Sequence, residues 1–292
     1  SPSLLAIPFF ILLGTLMSYT GIAERILHIA NVLVGKMRGG LGVANILVST
    51  MMGGVSASNL ADAAMLSRMM VPEMERKGYN RAFAAAITAG GSLVTPIIPP
   101  GIALIIYGLV ADVSIGKMFI AGLVPGLLCA VVLLFTVYLV ARKTNAKPSR
   151  ESWPTGKEVV FSLGQAWPAL FLIFAVVGGI RANIFTPTEA GAAAVLIVLA
   201  IGFFIYREMR ISHVVKALGE TARATASVML VIMASAALGW IFSMEHAGVA
   251  VANFVTSLTE NKYMFLLIIN ILLLTLGMFL EGNAILLILV PL

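Results

Sequence analysis

The chain has 292 residues, of which 60% are apolar and 11% charged, with a mean hydropathy of +1.03 and a net charge of +6. A water-soluble domain has no use for so much apolar surface, and the lone Cys129 excludes a disulfide framework or a cysteine-based metal site. The positive balance does not indicate nucleic acid, because its distribution follows a membrane topology.

Uncharged runs recur at 2–23, 39–61, 82–111, 118–141, 159–180, 224–244 and 263–280, and 187–206 carries only Glu189. Each is at or near the ~20 residues a helix needs to cross ~30 Å of hydrocarbon. These runs predict an all-α polytopic membrane protein. The first is a span, and stretch 22–37 behind it is amphipathic. Run 39–61 contains GGVSASN at 53–59, where glycines permit a turn and Ser/Asn side chains can cap freed backbone groups. We expect a re-entrant hairpin over 40–78 with its tip near 54–60; the alternative is a helix kinked at the Gly pair. Run 82–111 is uncharged, yet Thr95-Pro96 and Pro99-Pro100 must break its hydrogen-bond ladder. Run 118–141 is a plain span, followed by the basic linker 142–158.

With that linker placed in the cytoplasm, alternation of the spans makes 24–38, 62–81, 142–158 and 207–223 cytoplasmic. Of the 19 Lys/Arg, only Lys117, Arg181 and Lys262 then fall elsewhere. This asymmetry is the positive-inside bias, and it requires 39–61 to enter and leave on the same side.

The chain also repeats. LGTLMS at 13–18 matches LGWIFS at 238–243, and NIL at 45–47 matches NIL at 270–272, all at an offset of 225 (239 − 14, 270 − 45). In the first copy the amphipathic stretch carries Arg25 and Lys36. Its counterpart EHAGVAVANFVTSLTEN, at 245–261, has no Lys or Arg. The copies therefore cross the membrane in opposite senses, the architecture of secondary transporters with sites near the midplane. The first repeat spans 1–141, residues 142–158 are the linker, and the second repeat spans 159–292. The offset maps Ser56 onto Glu281 and Ser58 onto Asn283, so a second hairpin should open at GMFLEGNAILLILVP. A partner for TPIIPP would fall near 320, so the chain is expected to be part of a longer polypeptide, which the missing initiator Met also suggests.

Irregular backbone survives at membrane depth only when buried in protein or lining a hydrated cavity. A proline-broken helix frees carbonyl oxygens, hard donors suited to Na+. The hairpin tip adds the hydroxyls of Ser56 and Ser58 and the amide of Asn59. Half-helix N-termini favour an anionic substrate. Asp62 is either a helix N-cap at the tip or an ion ligand. Glu281 is an intramembrane carboxylate and hence a functional candidate. Glu189, in FTPTEAG, reads as a structural cap.

At these residues the chain resembles the large membrane (M) subunit of tripartite ATP-independent periplasmic (TRAP) transporters. The resemblance runs from IPFFILLGTLMSYTGIAERI through GGVSASNLADAAML and PEMERKGYNRAFAAAITAGGSLVTPIIPPGIALIIYG to FTPTEAGAAAV and GMFLEGNAILLILVPL. It implies a Na+-driven importer in the inner membrane of a bacterium or archaeon. Organic acids such as sialic acid or C4-dicarboxylates would arrive on a periplasmic binding protein. A small membrane (Q) subunit, separate or fused, would complete the complex, and hairpins and broken helices would move as an elevator. By motif, Na+ would be held by Gly54, Ser56, Ser58, Asn59, Thr95, Pro96, Pro99 and Pro100, with a second site around Glu281 and Asn283. Asp62, Ser92 and Gly101 are substrate-cavity candidates. Two departures stand out: the family often has Ser where this chain has Gly101, and Asp near Glu281. Na+ is the only cofactor implied.

Three other readings compete. A stand-alone Na+/dicarboxylate symporter would need no binding protein. An intramembrane enzyme would use Asp62 and Glu281 as a pair. A purely structural subunit would leave the broken helices without a purpose.

Overall fold

A computed structural model describes residues 2–53, 59–144, 147–245 and 261–290, and no strand occurs among them. The helices are α1 (Ala6–Met17), α2 (Ile22–Val34), α3 (Gly40–Met51), α4 (Asn59–Arg76), α5 (Arg81–Ser92), α6 (Ile102–Val110), α7 (Ile115–Lys143), α8 (Gly156–Arg181), α9 (Pro187–Ala200), α10 (Ile211–Met244), α11 (Lys262–Gly277) and α12 (Gly282–Leu289). Helices α7, α8, α9 with its π-helical extension Ile201–Ile205, and α10 are each long and apolar enough to cross a membrane.

Run 2–23 is not one straight span. Helix α1 stops at Met17, and α2 leaves it at 65°. Gly21, at φ +67°, makes the corner, and a side chain there would overlap the Glu208 carboxylate. Arg25 occupies the inside of the bend. It donates to Gly21 O at 2.9 Å and Glu208 Oε1 at 2.7 Å, and its guanidinium lies 3.8 Å from the Tyr206 ring centroid. Helix α2 keeps Ile22, Ile26 and Ile29 buried while Glu24, His28 and Leu33 face outward, as its amphipathic pattern predicts.

Segment 207–223, placed by its charge outside the spans, is not separate from the span that follows it. Residues from Ile211 onward instead form the first third of α10, which runs on unbroken to Met244. No proline interrupts it, and Lys, Ala, Leu, Glu and Arg are good helix formers. At 34 residues it is about 51 Å long, so its polar first turns extend beyond the hydrocarbon layer.

A continuous core joins these helices, with Ile7, Leu13, Leu16, Ile26, Ile46, Met74, Ile105 and Phe119 almost fully buried. Helix α3 lies between α2, α5 and α7, α4 packs along α5, and α12 rests on α6 and α10. The linker stitches the basic ends together: Ser149 N–H donates to Gly35 O at 2.8 Å and Lys147 N–H to Lys77 O at 2.8 Å. In the turn after α4, the Tyr79 hydroxyl accepts from Gly42 N–H at 3.4 Å. Burial pushes its pKa above the usual tyrosine value, so it stays neutral.

Candidate ion and substrate site

The predicted hairpin has two described arms, α3 and α4. Gly54, Ser56 and Ser58, at its expected tip, lie outside the described residues. Asn59 begins α4. Asp62 is buried in the first turn of that helix, one turn past the cap position, where a carboxylate complements the helix dipole.

The broken helix is resolved into α5, an irregular segment 93–101, and α6. Proline at 96, 99 and 100 removes three donors from this stretch. The remaining amides of Leu93, Val94, Ile97 and Ile98 bond back to Gly90, Gly91 and Val94 carbonyls at 3.0–3.2 Å. Among the described residues, no backbone amide donates to the carbonyls of Thr95 through Pro100. The Pro99-Pro100 peptide is cis. Gly101 then caps α6 in an extended conformation.

The second half contributes Glu281, the extended N-cap residue of α12, and Asn283, whose Nδ2 donates to Glu281 Oε1 at 3.1 Å. A cavity of about 340 Å³ gathers Asn59, Pro96, Glu281 and Asn283, with Ile102, Ala103 and Leu286 as apolar wall. Four residues predicted from three separate stretches, 59, 96 and 281 with 283, thus share one space. The remaining described candidates do not line it. Ser92 is buried and donates to Ala89 O at 2.7 Å, while buried Thr95 donates to Ser49 O at 3.4 Å. Gly101 faces the break instead. A β-carbon at 101 would overlap the Pro96 carbonyl oxygen, so this segment as it stands has no room for a serine there.

A polar seam behind the cavity was not anticipated from the sequence. Asn45 is fully buried and donates through Nδ2 to Thr88 Oγ1 at 2.6 Å, and Ser49 donates to Asn45 O at 3.0 Å. With Thr95→Ser49 this ties α3 to α5 and to the break. The signal was the i, i+4 spacing of Asn45 and Ser49 within an uncharged run, which puts both on one helix face.

Glu189 is the structural cap the sequence suggested. Thr186 and Glu189 form a reciprocal capping box at the start of α9, with the Glu189 carboxylate 2.8 Å from Thr186 N. Among the described residues, no cluster of His, Cys, Asp and Glu could hold a metal ion. The oxygens on offer at the break and cavity are carbonyl, amide and carboxylate, a donor set that fits a hard cation.

All 292 residues match the family described as "Tripartite ATP-independent periplasmic transporter, DctM component". The chain belongs to that family. It is 39% identical to the sialic acid TRAP transporter large permease protein SiaM of Vibrio cholerae and 38% identical to the C4-dicarboxylate TRAP transporter large permease protein DctM of Pseudomonas aeruginosa. Each match covers 99% of this chain and 67% of the relative. It is also 34% identical to the isethionate TRAP transporter permease protein DctMQ of Oleidesulfovibrio alaskensis, over 99% of this chain and 45% of that one. These relatives are transporter permeases, so this large permease subunit is a multi-pass membrane protein and not an enzyme. The Asp62–Glu281 catalytic pair is accordingly set aside.

Proposed function

We propose that this large permease subunit is a Na+-coupled importer of organic acid anions and works by an elevator movement. The observation that carries the reading is the convergence of Asn59, Pro96, Glu281 and Asn283 on one cavity, beside carbonyls at 95–100 that no backbone amide engages. Na+ is held by those oxygens together with the tip residues Gly54, Ser56 and Ser58, and by the Glu281–Asn283 region on the second hairpin. Carboxylate-bearing substrates suit the N-terminal ends of α4, α6 and α12. Sialic acid, a C4-dicarboxylate and isethionate, named for the relatives, are all organic acid anions. Substrate reaches this inner-membrane subunit on a soluble periplasmic binding protein, and a small membrane subunit, separate or fused, completes the complex.

The inverted repeat supports the elevator. Shifting α3 by 225 residues gives 265–276, which falls inside α11 (Lys262–Gly277), and the start of α4 at 59 becomes 284, in the first turn of α12. This matching register supports reading the two pairs as hairpins of opposite sense.

Reconstituted complex should take up substrate only with an inward Na+ gradient and an added binding protein. Na+ should raise its melting temperature, and Ser56→Ala with Ser58→Ala should blunt that shift. Equal shifts in Na+ and K+ for the unaltered protein would refute the ion assignment. Uptake without any binding protein would favour the stand-alone symporter.

A further inference from the structure

A cavity of about 290 Å³ lies away from the site just described, at the basic end of α7, between that helix and the turn joining α2 to α3. Its wall consists of Met37, Arg38, Tyr138, Ala141 and Arg142. No carboxylate lines it, and among the described residues neither arginine forms a salt bridge. Arg142 rests over the Tyr138 ring, 4.6 Å from its centroid, which holds the guanidinium at the cavity edge.

The helix below the cavity is equally suggestive. Val124, Leu128, Val131, Phe135, Tyr138 and Arg142 follow one another at spacings of three and four, and so form a single face of α7. The five residues before Arg142 are exposed, Val124 and Phe135 at 73% and 60%. An exposed apolar stripe thus ends in a notch carrying two arginines that have no salt bridge among the described residues. Buried core has no such ending, and a water-facing surface has no such stripe.

We infer that this notch binds the headgroup phosphate of an anionic glycerophospholipid, whose acyl chains lie along the α7 stripe. Arg38 and Arg142 supply planar, paired donors for phosphate oxygens. Tyr138 sits at the level of the ester linkages, where an amphipathic ring is favoured. Basic notches between membrane helices recognise anionic headgroups by this combination of charge and depth.

The test is native mass spectrometry of the intact transporter complex released from nanodiscs of phosphatidylglycerol and phosphatidylethanolamine. Phosphatidylglycerol should be retained in preference. Arg38→Gln or Arg142→Gln should weaken its retention about fivefold each and the double variant about 25-fold. The double Lys variant should restore much of the loss, and Arg76→Gln should leave retention unchanged. Equal retention of the two lipids, or undiminished retention by the double Gln variant, would overturn the assignment. So would full displacement by millimolar inorganic phosphate, which marks a free-anion site. Photo-crosslinking from a benzoylphenylalanine placed at position 138 to the small membrane subunit in most complexes would show a protein covering the notch and overturn it as well.

Discussion

Asn45 and Thr88, 43 positions apart, meet through a 2.6 Å hydrogen bond at full burial, and this contact fixes α3 to α5, the helix before the break. Thr88 Oγ1 in turn donates a hydrogen bond to Ala84 O at 2.7 Å, so the two bonds form a chain. Removing Thr88 takes the oxygen partner from the buried Asn45 amide, at a cost of about 1–3 kcal/mol, while removing Asn45 loses the bond but leaves Thr88 its partner Ala84 O. Asn45→Leu and Thr88→Val should each lower the melting temperature of the purified complex. The double variant should lose less than the sum of the two, because both halves of the bond leave together.

Gly101 is decided by geometry. Because a β-carbon there overlaps the Pro96 carbonyl oxygen, Gly101→Ala and Gly101→Ser should both displace segment 96–101. We expect Na+-dependent uptake to fall at least tenfold in both, an energy of about 1.4 kcal/mol at the site. Normal transport by Gly101→Ser would mean that the break relaxes freely.

The bend between α1 and α2 rests on Arg25. Its ion pair with Glu208 is part-exposed, with side chains at 22% and 47%, so the pair alone contributes under about 1 kcal/mol. Stacking on Tyr206 adds about 0.5–1 kcal/mol. Arg25→Lys keeps the charge but not the planar stack, and should melt a few degrees lower. High salt should weaken the unaltered protein by less than this substitution does, since it screens only the ionic part.

Glu281 offers the sharpest test of the proposed second Na+ site. Glu281→Gln keeps its size while removing the charge beside Asn283. Uptake should need a higher Na+ concentration for half-maximal rate, with folding preserved, and unchanged Na+ dependence would exclude the carboxylate from coupling.

Much of this was legible in the chain itself. Membrane residence follows from uncharged runs of about 20 residues, because the bilayer penalises charge by depth regardless of what packs where. The break at 95–100 follows from proline chemistry, which is local. The Thr186–Glu189 capping box was equally readable, since its partners are three residues apart. By contrast, the corner at Gly21 depends on Arg25 reaching Glu208, 183 positions away, and charge alone did not show that α10 begins as early as Ile211.

The tertiary structure alone decided which polar groups share a space. Spacing placed Asn59, Pro96 and the pair Glu281–Asn283 on three different segments, and nothing local required these to border one cavity rather than several. It also separated Gly101 from that cavity and joined Asn45 to Thr88. Backbone chemistry and hydrocarbon thickness act within a few residues and are therefore written in the sequence. Packing selects contacts across hundreds of residues by shape, and that selection exists only once the helices have met.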